Sequence, residues 1–173
     1  LLAYTALNPL ASSQELLYRF DGSGANDYLG KTTACAGDVN NDGFDDIIVG
    51  APEADVLASN DGEAIVFSGA DGTILYRMNG SATNDQFGYS VCSTGDINKD
   101  GYADFAVGAP YDDDNGTDSG SGWVYSGING DVLFSHNGDS SGALFGWCLD
   151  GDEDLNQDGY PDWVVGAPGD DYI

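Results

Sequence analysis

The sequence predicts an all-β chain made of β-propeller blades, and two observations carry that prediction. The first is an internal repeat: acidic stretches begin at Asp38, Asp96 and Asp154, each 58 residues from the next. The second is that every repeat contains short apolar, β-branched segments separated by turn residues, without the 3.6-residue periodicity of a helix. Four antiparallel strands in each 58-residue repeat form the blade of a β-propeller.

The four predicted strands occur in the same order in both complete repeats. The first repeat reads LGKTTAC, DIIVGAP, EAIVFSG and TILYRM, and the second reads FGYSVCS, DFAVGAP, GWVYSG and DVLFSH. The third and fourth strands are separated by SGADG (68–72) and SGING (126–130). Asp-Gly and Asn-Gly are strong hairpin signals, so both central residues of each turn are expected to adopt positive φ.

The same alignment divides the chain into about three blade equivalents. Residues 1–20 are predicted to form a half blade, 29–78 and 87–136 whole blades, and 145–173 a second half blade. Because propellers have about four to eight blades, we expect the ring to be completed in one of two ways. Either a longer parent chain supplies the missing blades, or copies pair head to tail, with two chains giving a six-bladed homo-oligomer.

Composition excludes several classes of partner. Thirty Asp and Glu residues against four Lys and Arg give a formal charge of −26, which disfavours nucleic acid and anionic membrane surfaces because both require basic patches. No apolar stretch approaches about 18 residues, so membrane insertion is not expected. The three cysteines form no C-x-x-C pair and are expected to be small buried apolar residues: Cys35, Cys92 and Cys148.

Each acidic loop places oxygen-bearing groups at alternate positions, as cation-binding loops do. Positions 1, 3, 5 and 9 carry Asp, Asn, Asp and Asp, and position 7 offers a backbone carbonyl just after a glycine. Hard oxygen ligands at this density suit Ca²⁺, so one ion per loop and three per chain are predicted. The predicted ligands are Asp38, Asn40, Asp42, Phe44 (carbonyl) and Asp46; Asp96, Asn98, Asp100, Tyr102 (carbonyl) and Asp104; and Asp154, Asn156, Asp158, Tyr160 (carbonyl) and Asp162.

Other interpretations of these loops are less favoured. Mg²⁺ retains its waters and requires a strict octahedron, and softer metals would find no ligand here because His136, the only histidine, lies outside the loops. An EF-hand is excluded because position 12, where it needs a bidentate Glu, is valine in all three loops. Asx-turns without a metal are the remaining alternative, which is disfavoured because three converging carboxylates would repel one another.

A family resemblance rests on the residues around these loops. A Phe-Gly pair precedes each loop, with Leu-Gly as a variant in the first repeat, and Gly-Ala-Pro follows it at 50–52, 108–110 and 166–168. This order resembles the FG-GAP repeat of integrin α-subunit β-propellers. The resemblance implies Ca²⁺ in the loops on one face of a seven-bladed ring and recognition on the opposite face. Two departures are Leu29 in place of Phe and Glu153 in place of Gly, which is expected to crowd the third loop.

Three classes of function are compatible with such a fold. A non-catalytic module that binds a protein or matrix ligand is favoured, with the variable segments EADVLASNDGE and YDDDNGTDSGSG as its recognition loops. The alternative is a lectin that uses Trp123, Trp147 or Trp163 as a platform for glycan. An enzyme is not expected, because no nucleophile and base pair is visible. Weak calcium loops suit extracellular calcium concentrations, so a secreted or cell-surface protein is predicted.

Overall fold

The computed structural model describes residues 16–22 and 24–170, and these contain ten β-strands. The strands form two four-stranded antiparallel sheets in the orders β1-β2-β3-β4 and β5-β6-β7-β8, and a two-stranded sheet of β9 and β10. The predicted all-β class, with four-stranded antiparallel repeats of the propeller-blade type, is therefore confirmed. The strands are β1 (Thr32–Gly37), β2 (Asp46–Ala51), β3 (Glu63–Phe67), β4 (Ile74–Asn79), β5 (Ser90–Gly95), β6 (Asp104–Ala109), β7 (Ser121–Tyr125), β8 (Val132–Asn137), β9 (Cys148–Glu153) and β10 (Asp162–Gly166).

The first two sheets pack face to face around a shared apolar core. The middle strands are buried on both faces, which is why β2 and β6 read as continuous apolar runs instead of alternating patterns. Ile48 and Val66 of the first sheet join Phe105 and Val107 of the second in the same buried cluster. Phe87, which precedes β5, is also part of this cluster, so the aromatic residue of the Phe-Gly pair serves as a core residue.

The glycines of the two motifs permit a close approach between neighbouring blades. Within one repeat the N–H of Gly88 donates to the carbonyl of Gly108 at 3.1 Å, which joins the start of β5 to the end of β6. Between repeats, a Cβ added to Gly50 would lie 2.0 Å from the carbonyl oxygen of Gly88. Gly88 also has a φ of 85°, which few other residues adopt without strain. The Phe-Gly motif of one repeat therefore contacts the Gly-Ala-Pro motif of the preceding repeat.

A tyrosine hydroxyl joins one repeat to the next at two places. The hydroxyl of Tyr76 in β4 donates to the carbonyl of Gly127 in the following blade at 2.6 Å. Tyr18, one repeat earlier, makes the corresponding hydrogen bond to Gly69 at 3.1 Å. The residue at this place in β8 is Phe134, which has no hydroxyl and is 50% exposed.

The hairpin turns differ from the sequence prediction. Only the glycines have positive φ, 74° at both Gly72 and Gly130, and not the residues before them. The first turn closes over five residues, because the N–H of Gly72 donates to the carbonyl of Ser68 at 2.8 Å. Asp71 instead uses its carboxylate to accept the N–H of Thr73 at 2.9 Å. The prediction that both central residues adopt positive φ was wrong, because the turn contains an extra residue that a bulge in the β3–β4 pairing accommodates.

The cysteine prediction is correct for one residue of three. Cys92 is buried in a cluster with Ala106 and Val124, whereas Cys35 and Cys148 are exposed. Each of these two cysteines lies on the face of its strand that does not pack against the neighbouring blade: Cys35 in β1 and Cys148 in β9. Alternation along β1 and β9 directs the adjacent residues, Ala36 and Leu149, into the core clusters instead.

Candidate metal-binding loops

The three acidic loops occupy the same place in successive sheets. Loop 1 (38–46) joins β1 to β2, loop 2 (96–104) joins β5 to β6, and loop 3 (154–162) joins β9 to β10. The aspartate at position 9 of each loop is also the first residue of the following strand. The loops are therefore held at both ends by paired strands, which places them along one edge of the consecutive blades.

A repeated set of hydrogen bonds gives the loops one shared conformation. In loop 1, Asp38 accepts the N–H of Asp42 with Oδ1 at 3.0 Å and the N–H of Gly43 with Oδ2 at 2.8 Å. Asn40 Oδ1 also accepts the N–H of Asp42 at 2.9 Å, and Asp42 Oδ1 accepts the N–H of Phe44 at 2.9 Å. The corresponding distances in loops 2 and 3 lie between 2.8 and 3.1 Å.

Two positions in each loop turn the backbone sharply. The glycine at position 6 has a φ of 91° to 93° in all three loops, as the sequence predicts. Position 4 also has positive φ, between 56° and 61°, although its side chain differs from loop to loop. Sequence reasoning missed position 4, because lysine and glutamine carry no turn signal. The position 4 residues are Asn41, Lys99 and Gln157.

In loops 1 and 2, the position 9 aspartate links the loop to the hairpin between the third and fourth strands of the same blade. Asp104 accepts the N–H of Ile97 within loop 2 at 3.1 Å and the N–H of Gly127 in the hairpin at 2.9 Å. Asp46 is placed in the same way in loop 1, and both carboxylates are fully buried. Burial raises the pKa of Asp104 to about 6 against the opposing effect of these hydrogen bonds, and it raises the pKa of Asp46 in the same direction.

The donor chemistry of the loops fits a hard cation. Every predicted ligand offers oxygen, and a carboxylate oxygen that accepts one N–H retains a further lone pair for a cation. Within residues 16–22 and 24–170, no three His, Cys, Asp or Glu side chains are gathered in a metal-binding arrangement. In this structure the loop carboxylates accept backbone N–H groups, which hold the loop in its turn. The set of calcium ligands stays a prediction.

Loop 3 departs from the other two at its entrance. Gly37 and Gly95 have φ values of 74° and 62°, whereas in the third repeat positive φ falls one residue earlier, on Asp152 at 82°. Glu153 occupies the glycine position, pairs with Asp162 and is exposed. Moving the strained backbone to Asp152 lets a glutamate occupy this position with its side chain in solvent.

The three tryptophans lie in different environments. Trp123 packs on Phe87 with ring centroids 5.3 Å apart, and Trp163 packs on the buried Cys92 cluster. Trp147 instead forms a partly exposed cluster with Tyr89 at 4.9 Å and Tyr111 at 6.2 Å. Of the three predicted glycan platforms, Trp147 is the one grouped with other partly exposed rings. Tyr89 and Trp147 directly follow Phe-Gly pairs and Tyr111 directly follows Gly-Ala-Pro, a positional signal that sequence reasoning did not use.

Buried aspartates organise the variable segments 53–63 and 111–122. Asp61 accepts the N–H groups of Val56 and Leu57 at 2.8 and 2.7 Å. Asp112 accepts the hydroxyl of Ser121 at 2.5 Å and the N–H of Asp114 at 2.7 Å. Part of the acidity of these segments is therefore structural and directed inward.

Comparison with known proteins identifies the repeats. The FG-GAP repeat family model matches residues 32–67 and 87–125. The chain is 37% identical to integrin alpha-6 of Gallus gallus over 164 residues, covering 88% of the chain and 14% of that protein. It is 35% identical to integrin alpha-IIb of Mus musculus over 181 residues (95% and 17%) and 31% identical to integrin alpha-8 of Homo sapiens over 177 residues (92% and 16%).

The chain spans about one sixth of the length of these relatives or less. In the part of the chain that the structure describes, no helix is long and apolar enough to cross a membrane. The segments that the family model matches contain Phe87-Gly88, Gly-Ala-Pro at 50–52 and 108–110, and acidic loops 1 and 2. The chain is thus an FG-GAP repeat protein that resembles integrin alpha subunits over most of its length.

Proposed function

We propose that this chain is a calcium-binding segment of a β-propeller that recognises a protein or matrix ligand outside the cell, without catalysis. The observation that carries the proposal is the hydrogen-bonded turn that the three loops share, with the same types of oxygen ligand at the same positions. The predicted ligands of loop 1, for example, are Asp38, Asn40, Asp42, the Phe44 carbonyl and Asp46. Ca²⁺ would offset two of the three carboxylate charges in each loop, which leaves a site charge of roughly −1.

A bound cation would act on the blade as well as on the loop. The position 9 carboxylate already joins the loop to the hairpin through two N–H groups, so a cation on Asp104 would hold the loop, β6 and the β7–β8 hairpin together. Calcium that binds only the folded state would stabilise that state by about 2.7 kcal/mol per site when its concentration is about 100 times Kd. Calcium is therefore expected to stabilise the blade that contains the loop.

An extracellular role is supported by the relatives and by the type of site. The relatives are named integrin alpha subunits, and flexible all-oxygen loops suit the millimolar calcium found outside cells. We therefore place the chain in a secreted or cell-surface protein. The surfaces proposed for recognition are the variable segments 53–63 and 111–122, because they differ between repeats while the strands around them do not.

We also propose that further blades complete the ring. The boundaries proposed for the blades are 29–78 and 87–136, flanked by half blades at 1–20 and 145–173, of which 1–15 and 171–173 lie outside the described residues. Val132 and Phe134 in β8 are 52% and 50% exposed, whereas Tyr76, at the place of Phe134 in the preceding blade, is covered by the next hairpin. A longer parent chain or a second copy paired head to tail would supply the cover. Light scattering behind a sizing column distinguishes the two, because a homo-oligomer would have a multiple of the chain mass.

Glycan is the second candidate ligand, and one observation favours it. The partly exposed cluster of Tyr89, Tyr111 and Trp147 offers ring faces of the kind on which sugars stack. A glycan array probed with the wild type and with Trp147→Ala tests this candidate. Binding that is lost in the variant would favour a lectin, and the absence of any binding would remove it.

Calorimetric unfolding in millimolar calcium and in chelator tests the proposal. Calcium should raise the Tm of the wild type, and Asp100→Asn should lose the share contributed by loop 2. Asp139→Asn is the matched control, since it removes the same charge from an exposed residue outside the loops, and it should respond to calcium like the wild type. An identical Tm in calcium and chelator would refute calcium binding.

A further inference from the structure

One backbone hydrogen bond connects two of the acidic loops directly. The N–H of Ala103, at position 8 of loop 2, donates to the carbonyl of Asp38, at position 1 of loop 1, at 3.1 Å. The side chain of Ala103 lies over Gly37, where an added Cβ would be 2.6 Å from the Ala103 Cβ. The glycine before loop 1 therefore gives loop 2 room to reach the first residue of loop 1.

The donor in this bond belongs to a peptide unit that also carries a predicted calcium ligand. The N–H of Ala103 and the carbonyl of Tyr102 are the two ends of one planar trans peptide, so they point in opposite directions. The N–H faces loop 1, and the carbonyl is directed away from loop 1. A cation on that carbonyl polarises the peptide and strengthens its N–H as a donor, as in any hydrogen-bonded chain.

Loop 3 provides a natural comparison within the same chain. Its position 8 is Pro161, which has no N–H, so the corresponding bond to the carbonyl of Asp96 in loop 2 cannot form. Pro161 nevertheless occupies the equivalent place, because its Cγ lies 3.2 Å from a Cβ added to Gly95. Loops 2 and 3 meet through the Lys99 ammonium, 3.7 Å from the centroid of the Tyr160 ring. This side-chain contact involves no predicted ligand atom.

We propose that the Tyr102–Ala103 peptide couples loops 1 and 2, so that calcium in either loop raises the affinity of the other, while loop 3 binds calcium independently. The inference rests on the proposed calcium function. In one direction, calcium in loop 2 polarises the peptide that positions Asp38. In the other, calcium in loop 1 fixes the Asp38 backbone that accepts this bond, and linkage makes the two effects equal. One hydrogen bond of this kind is expected to give a coupling of about fivefold in affinity.

Site-resolved titration by NMR of the full chain tests the coupling. The amides of Gly43, Gly101 and Gly159 each donate to the first aspartate of their own loop, so each reports one site. As calcium is added, Gly43 and Gly101 should shift together along a steepened curve, while Gly159 follows a simple one-site curve. The Ala103 amide should move downfield as loop 2 fills.

Two variants at position 8 sharpen the test. Ala103→Pro copies the residue of loop 3 and removes the N–H, so Gly43 and Gly101 should titrate independently and the steepening should disappear. Ala103→Ser keeps the N–H and should behave as the wild type. Pro161→Ala supplies the missing donor, so Gly159 should join the cooperative transition. This third variant keeps the test informative if Ala103→Pro does not fold.

The outcomes separate the coupling from the calcium proposal itself. If none of the three glycine amides responds to calcium, the calcium function fails, and the coupling fails with it. If all three respond but Gly43 and Gly101 follow independent curves in the wild type, the loops bind calcium and the coupling is wrong. Cooperativity that survives Ala103→Pro would also overturn it, because the peptide N–H would not be the link.

Discussion

The hydrogen bond between Tyr76 and Gly127 should contribute measurably to the packing of consecutive blades. Tyr76→Phe removes only the hydroxyl, and the ring keeps its place beside Phe105, with centroids 6.1 Å apart. The hydroxyl bonds at 2.6 Å to the carbonyl of a buried glycine. The variant therefore leaves an acceptor that water does not easily reach.

The expected loss is the cost of leaving the Gly127 carbonyl without its hydrogen-bond partner. An unsatisfied buried acceptor costs about 1–3 kcal/mol. Because Phe134 occupies the same position in the next repeat, phenylalanine is compatible with this strand and no packing strain is expected. We therefore expect a decrease of about 1–3 kcal/mol in the free energy of unfolding, or a Tm lower by roughly 2–12 °C for a chain of this size.

Urea unfolding of the calcium-loaded chain measures this loss, and Tyr28→Phe is the control. Tyr28 is 55% exposed, so losing its hydroxyl should change the free energy of unfolding by less than about 0.5 kcal/mol. If Tyr76→Phe is as stable as the control, the contact between Tyr76 and Gly127 contributes no net stability and the argument for hydroxyl-mediated blade docking is wrong.

Three further predictions concern the core and the loops. Phe87→Ala should lower the free energy of unfolding by about 3–5 kcal/mol, measured in urea, because it opens a cavity at a buried contact between blades; a smaller loss than that of Tyr76→Phe would contradict this. Lys99→Gln should tighten calcium binding at loop 3 in low salt by removing a positive charge beside Tyr160, and the gain should fade as salt rises; calorimetric titration showing unchanged or weaker binding would contradict it. In chelator, the pKa of Asp104 near 6 exceeds the unfolded value of 3.8, so this group should add about 1 kcal/mol of stability as the pH falls from 7 to 5. Asp104→Asn should lack this gain in stability at low pH. If urea unfolding shows the same pH dependence in both proteins, Asp104 is not the group responsible.

The fold was predictable because several sequence signals agree. The 58-residue period, the Asp-Gly and Asn-Gly turns and the apolar runs after each loop all indicate four-stranded repeats, and β5 to β8 form where the second repeat predicts them. The turn geometry was not predictable from the Asp-Gly pair alone, because the bulge beside Phe67 depends on how β3 and β4 pair. Local turn signals indicate where the chain reverses, and strand register determines how.

The conformation of the acidic loops was predictable from the sequence and their connections less so, while the ligand set stays a prediction. The spacing of Asp38, Asn40 and Asp42 identifies one loop, and its glycine predicts the sharp turn. The bond from Ala103 to Asp38 joins residues that are distant in sequence, so only the packing of one blade on the next reveals it. The exposure of Cys35 was missed for the same reason, since a strand residue is buried only on the face that a neighbouring blade covers.

Isothermal titration calorimetry on the chelator-treated chain counts the calcium ions that it binds, and so tests whether the acidic loops are calcium sites. We expect three calcium ions per chain and two in Asp100→Asn, with Asp139→Asn retaining three. Heats of dilution alone in the wild type would contradict it, and the loops would then be Asx-turns that hold their conformation by backbone hydrogen bonds without a metal.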